Sequence, residues 1–300
     1  MNIEQLNNKY GIAGKVVFSN GKGGLQTVTI SNELATAVLS IHGAHVMHYQ
    51  PANQQEVLWM SDKSVFEEGK PIRGGIPLCF PWFGPHASES AFPQHGFARL
   101  INWEVTNVES MADGATKLEL EINTPDVAKT YFNYSFIARL TVTVGAKLQV
   151  TLSVLNIDNK PFTYSDALHT YFNVSDVNEI SIDGLRTATY YEAFGTELKR
   201  QEEPLLNIVR EENRRYVNTT ADCIIYDKGL NRKIRVAKTG SKVTVVWNPG
   251  EANAKTIADI GENGHKHFIC VEAVNAYEGI DMITLQPGEQ HSLFTTISVE

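Results

Sequence analysis

Three hundred residues, 42% hydrophobic and 20% charged, are enough to bury a large core, arranged as one large β domain or two ordinary ones. A formal net charge of −8 with no long Lys/Arg run excludes the electrostatic footprint of a nucleic-acid binder, and no stretch of about 18 apolar residues offers an ordinary membrane-spanning helix. The opening residues MNIEQLNNKYGIAGKVV lack a charged segment followed by an apolar one, and Cys79, Cys223 and Cys270 are widely spaced without a CxxC pair, so neither a secretory signal, a disulfide framework nor a zinc site is expected. That cysteine usage predicts a cytoplasmic protein.

Taken in chain order, the segments LQTVTISN (25–32), TKLELEIN (116–123), EISIDGL (179–185), KIRVAK (233–238), SKVTVVWNPG (241–250) and HSLFTTISVE (291–300) show period-two patterning or β-branched enrichment between Gly, Asn, Asp and Pro clusters. The run from Phe136 to Asp158 reads as two strands joined at Gly145-Ala146-Lys147. Convincing helical periodicity is scarce. Many short strands at regular spacing predict an all-β sandwich or barrel, and without a linker, low-complexity tract or repeat the simplest reading is one domain over 1–300.

Four stretches place polar residues where a plain core strand would not. In KPIRGGIPLCFPWFGP (70–85), Arg73 precedes two glycines that permit close backbone approach and then a rigid apolar, proline-rich loop. An arginine fixed there is set either to bind an anion or to form a structural ion pair. In FPQHGFARLINWEV (92–105), Gln94, His95 and Arg99 fall within six positions, and Gly96 removes a side chain that could crowd a ligand. Arg suits phosphate through its planar fork, although a capped strand start with a surface arginine fits the same residues. In YSDALHTYFNVSD (164–176), His169 sits in a strand-like run, either buried and structural or poised to move a proton near pH 7. In HFICVEAVNAYEG (267–279), Glu272 stands inside an apolar run, where burial should raise its pKa toward the range of a general base. It is the sharpest anomaly in the chain.

Other features read as structural. His42, His45 and His48, and the pair His265 and His267, have spacings that could suggest metal ligation but lack an accompanying thiolate or carboxylate at a recognised metal spacing. Trp247 reads as packing above a turn, and Asp259 and Glu262 as solvated loop charges, either of which could approach a pocket.

The stretches IRGGIPLCFPWFGP, PQHGFARLINWEV, DALHTYFNVSD, ENRRY, VVWNPG and FICVEAVNA, in this order over residues 72–276, resemble the aldose 1-epimerase (mutarotase) superfamily in its hexose-6-phosphate 1-epimerase branch. The first two are highly specific together. The resemblance implies a galactose-mutarotase-like fold, a large antiparallel β-sandwich with the active site in a groove on one sheet. It implies that His169 is the general acid and Glu272 the general base, that Arg73, Gln94 and Arg99 contact substrate, and that His95 lines the sugar site. Where the family usually carries an acidic residue that hydrogen-bonds the sugar, this chain has Asn213, uncharged and with two added donors.

The implied reaction interconverts α and β anomers. A proton leaves the anomeric hydroxyl while another reaches the ring oxygen, the ring opens, C1–C2 rotates, and the same groups close it. A carboxylate and an imidazolium coexisting at neutral pH suit these steps, and no cofactor or metal is needed. Arg99 with Arg73 would clamp the 6-phosphate. The expected partner is therefore a small hexose 6-phosphate, with no nucleic acid or membrane, handled by a monomer. A mutarotase for unphosphorylated aldoses, and a non-catalytic carbohydrate-binding or regulatory protein on the same scaffold, are the competing readings.

Overall fold

The computed structural model describes residues 1–193 and 195–300. Alternating residues become antiparallel strands: Thr116–Asn123, for example, buries every second side chain, with Leu118 and Leu120 inaccessible. The Phe136–Val144 and Leu148–Asn156 strands form the hairpin anticipated around Gly145. They lie within a nine-stranded sheet that runs from Leu206–Asn207 at one edge to Glu104–Ser110 at the other. An eight-stranded sheet orders Lys199–Arg200, Thr189–Glu192, Glu212–Val217, Val243–Asn248, Phe268–Asn275, Asp166–Leu168 and Leu78–Cys79, with Tyr171–Asn173 also paired to Phe268–Asn275. A four-stranded sheet from Val16–Asn20 to His45–Pro51 and a two-stranded one complete the β structure.

The two large sheets pack face to face as a sandwich. Leu78, Leu168, Tyr216, Val246, Ile269, Val271 and Ala273 of the eight-stranded sheet share one buried cluster with Leu120, Leu140, Val150, Leu293 and Ile297 of the nine-stranded sheet. Side chains of odd and even positions point to opposite faces, so Asn213, Arg215, Val245, Trp247, Cys270 and Glu272 share the other face. All eight residues of Phe268–Asn275 are buried, which is why that strand reads as an unbroken apolar run around one carboxylate.

The longest helix was not foreseen. Ile3–Tyr10 is a helix whose first turn is closed by Asn2 and Gln5 in a reciprocal capping box, while Leu6 is its buried residue. The capping residues were visible, but a two-turn helix leaves too few apolar repeats to register as periodic.

The core also holds a buried acid. Asp166 and Asn275 oppose each other across their strands, both inaccessible, and Asn275 Nδ2 donates to Asp166 Oδ1 at 2.9 Å. Asp166 Oδ2 and Asn275 Oδ1 have no protein partner. Burial, opposed by the Asn275 donor and reinforced by Asp281, pushes the Asp166 carboxyl up to about 7. A proton on Oδ2 supplies the donor that Asn275 Oδ1 lacks, pairing acid with amide. The unfolded chain releases this proton near pH 4 and the folded one near 7, so stability falls as pH rises between these values and is level above. Asp166→Asn, which cannot ionise, should therefore stabilise the fold at pH 8 by on the order of 2 to 4 kcal/mol and by much less at pH 5. Urea midpoints at the two pH values measure this; an equal shift at both would rule out the buried proton.

Candidate active site

Strand register assembles the site. On the exposed face of the eight-stranded sheet, Arg215, Val245 and Glu272 stand in one transverse row, and Asn213, Trp247, Cys270 and Tyr171 in the next. The ladder on the far side of Phe268–Asn275 breaks after Leu168, paired with Ala273, and resumes at Tyr171, paired with Cys270. Carrying that register through the break puts His169 opposite Glu272. At the break the His169 backbone N–H donates to Pro77 O, in register with the pairing of Leu168 and Leu78 on the other side. His169 thus lies between strands rather than in the middle of one.

Above this floor is a cavity of about 770 Å³ whose lining includes Arg73, Gln94, His95, Arg99, His169, Asn213 and Glu272. All seven side chains singled out from the sequence meet there. His169 Nε2 lies 3.4 Å from Glu272 Oε1, and the two side chains are 10% and 1% exposed. The imidazole stacks on Tyr171, with centroids 4.9 Å apart and planes at 14°, and meets the edges of Trp247 and His95 at 5.9 and 5.6 Å. These rings fix its orientation and exclude water.

The electrostatics depart from the coexisting ions expected at neutral pH. Burial raises the Glu272 carboxyl well above its ordinary range. Burial first, then Arg99 and Arg73, push His169 down to about 3. Burial thus disfavours the charged form of each group. Such a pair titrates as a unit.

The arginines differ. Arg73 donates from Nε to Asp259 Oδ1 at 3.1 Å and from Nη1 to the Tyr171 hydroxyl at 2.8 Å, so it forms a structural ion pair and also lines the pocket. Asp259 is accordingly no solvated loop charge. Arg99 donates from Nη2 to Gln94 O at 2.9 Å, its Nε lacks a partner, and no carboxylate among the described residues lies within 4.0 Å of it. It is a cation without a counter-ion at the pocket wall. His95 accepts the Gly84 N–H at Nδ1 (3.1 Å), and burial pushes its pKa well down, so the ring is neutral and offers Nε2–H as a donor.

The glycines serve the backbone. At Gly96, with φ of 74°, a Cβ would stand 2.0 Å from Phe80 O, so the residue is needed for loop packing and not, as anticipated, to make room for a ligand. At Gly75 a Cβ would approach Val46 O to 2.2 Å and His45 Nε2 to 2.8 Å. Two of the histidines recurring every third residue explain themselves here: His42 Nε2 donates to Lys70 O at 2.9 Å and His45 Nε2 to Gly74 O at 2.7 Å, bracing the loop that carries Arg73. Burial pushes His45 down to about 3, so it is a neutral strut.

Trp247, Tyr277 and Arg215 are among the lining residues that sequence reasoning missed. Trp247, read as turn packing, forms part of the pocket wall. Tyr277 and Arg215 also line it, with the Arg215 guanidinium 4.9 Å from the Tyr277 ring centroid and Nη2 donating to Gly195 O at 2.7 Å. The signal for Arg215 was present: it alternates with Asn213 and so shares its face.

The family described as aldose 1-epimerase matches residues 26–298. A protein of Escherichia coli (strain K12) named "Putative glucose-6-phosphate 1-epimerase" is 32% identical over 254 residues, covering 85% of this chain and 84% of its own. The crystal structure of a "putative mutarotase" from Salmonella typhimurium superposes with a TM-score of 0.89 at 27% identity, over 97% of this chain and 95% of that one. That of a galactose mutarotase-like protein from Clostridium acetobutylicum, at 16% identity, has a TM-score of 0.73 over 95% and 98% of the two chains and speaks to the fold alone.

Proposed function

The chain belongs to the aldose 1-epimerase family, and from that premise we propose that it interconverts the α and β anomers of a hexose 6-phosphate, with His169 as general acid and Glu272 as general base. The observation that carries this reading is the buried His169–Glu272 pair, 3.4 Å apart, on the floor of a pocket walled by Arg73 and Arg99. Glu272 takes the proton of the anomeric hydroxyl as C1=O forms. The C1–O5 bond breaks, and its electron pair takes the proton of the His169 imidazolium. Rotation about C1–C2 and reversal of both transfers give the other anomer.

Burial first, then Arg99 and Arg73, hold the His169 proton affinity down, so an anion that neutralises the two guanidiniums lifts the part of that depression that burial does not cause and favours a proton on His169. Remote binding energy thereby bears on the proton affinity of the acid as well as on the position of the sugar. His95 donates from Nε2–H near the ring oxygen, and Gln94 at the rim and Asn213 on the opposite side hydrogen-bond the substrate.

His45 acts through Arg73. His45→Ala removes one of the two struts of the 70–75 loop, worth about 1 to 3 kcal/mol for a buried partner left unpaired. Its expected result is a KM for hexose 6-phosphate raised about tenfold with kcat within threefold of wild type. Steady-state kinetics measure this, and an unchanged KM would remove His45 from the positioning of Arg73.

We read the chain as one domain over 1–300, supported by a buried cluster that runs from Leu6 to Ile297. The three cysteines are unpaired and buried, which supports a reducing cytoplasmic setting. Among the described residues no helix is long and apolar enough to cross a membrane. The negative net charge argues against nucleic acid, and we take the working unit to be a monomer.

The deciding experiment is anomer exchange by NMR with glucose 6-phosphate and with glucose. Faster exchange of the phosphosugar is expected. Preference for the neutral sugar would sink the phosphate assignment, and sugar-phosphate binding with exchange at the buffer rate would leave a binding protein.

A further inference from the structure

Cys270 has no part in the mechanism, yet it lies two residues before Glu272 on the same strand and therefore on the same face. One ligand atom each from His169, Cys270 and Glu272 lies within 4.8 Å of the others, and all three residues are buried. Glu272 Oε2, on a side chain that is 1% exposed, has no hydrogen-bond partner. Tetrahedral zinc, with bonds of about 2.0 to 2.3 Å, needs ligand atoms roughly 3.4 to 3.7 Å apart. His169 and Glu272 already meet this spacing at 3.4 Å, and the thiol needs to close by no more than about 1 Å. We infer that His169, Cys270 and Glu272 form an inhibitory site for a borderline-soft divalent cation such as Zn²⁺ or Cd²⁺, entering through the sugar pocket. That the site inhibits rests on the epimerase reading; that it binds metal does not.

The donor set selects the ion. Imidazole, thiolate and carboxylate suit zinc and cadmium and not Mg²⁺ or Ca²⁺, which require oxygen. Water would take the fourth position, toward the pocket. The geometry also says why the metal is an inhibitor and not a resident: His169 Nδ1 has no partner, whereas a ligating histidine in a dedicated site almost always donates through its second nitrogen. A metal held here occupies the lone pairs of both proton-transfer groups and stops exchange.

The test uses the whole protein with Co²⁺ and Zn²⁺. One equivalent of Co²⁺ should give a thiolate-to-cobalt charge-transfer band in the near ultraviolet and intense tetrahedral visible bands, both lost in Cys270→Ala. Zn²⁺ should inhibit exchange competitively with sugar, and Cys270→Ala should raise the inhibitory concentration at least thirtyfold while its kcat without metal stays within threefold. Cys270→Ser serves as a second variant if the alanine packs poorly. A cobalt spectrum without the charge-transfer band, or zinc inhibition unchanged by both variants, overturns the proposal. A cobalt site dependent on Cys270 in a protein without exchange activity would uphold the metal site and count against the epimerase reading instead.

Discussion

Glu272→Gln is expected to lower the turnover of hexose 6-phosphate about 10³-fold while leaving its affinity within a few-fold, because the amide keeps the shape of the carboxyl but cannot take the anomeric proton. His169→Asn should lose a similar factor, and the double variant little more than either alone, since the two transfers serve one ring-opening step. Exchange spectroscopy reads turnover and a calorimetric titration reads binding. If either single variant kept a tenth of wild-type turnover, the pair would not be the acid and base. The same substitution should move stability the other way. The folded chain raises the Glu272 pKa, so as pH climbs past about 4.5 the unfolded state gives up a proton that the native state keeps, and stability falls. His169, depressed to about 3, behaves oppositely: stability falls as pH drops below about 6.5 and the unfolded imidazole takes a proton. Glu272→Gln removes the first penalty and should melt above wild type at pH 7, a stability–activity trade-off carried by one residue.

Glu272 was legible because a carboxylate is expensive inside an apolar run, and that cost is a property of the residue and its neighbours in sequence. Its partner was legible only as a candidate. That His169 stands opposite Glu272 depends on a register that two short strands hand across a break. The ion pair between Arg73 and Asp259 joins residues 186 positions apart, and nothing local to Asp259 distinguishes it from an ordinary loop charge. The electrostatics of the pair were hidden for a similar reason. Free imidazole and free carboxyl suggest coexisting ions at pH 7, whereas burial disfavours charge on both groups and two guanidiniums add to its effect on His169. Alternating strands, by contrast, need only their own residues to be recognised, and most strands of the nine-stranded sheet were visible in this way.

Arg99→Met separates recognition of the phosphate from the chemistry. Arg73 is the poorer probe, because removing it leaves Asp259 without its partner and frees Tyr171, on which His169 stacks. Arg99 has no carboxylate to strand, and methionine keeps most of its apolar stem. Loss of one charge-assisted bond to an anion costs about 1.5 to 3 kcal/mol, so kcat/KM for the 6-phosphate should fall roughly 10- to 100-fold. The rate on unphosphorylated glucose should hold or rise slightly, since His169 loses a neighbour that disfavours its charged form. A second readout bears on the arming of the acid. In wild type, inorganic phosphate should move the His169 ring nitrogen shifts toward those of imidazolium, and in Arg99→Met that displacement should shrink or vanish. If selectivity for the phosphosugar survives the substitution, the anion is held elsewhere, with Arg215 across the pocket the next cation to test. If selectivity falls but the His169 response to phosphate does not, Arg99 binds the substrate without setting the charge of the acid, and the coupling between remote phosphate and proton transfer must run through Arg73 alone.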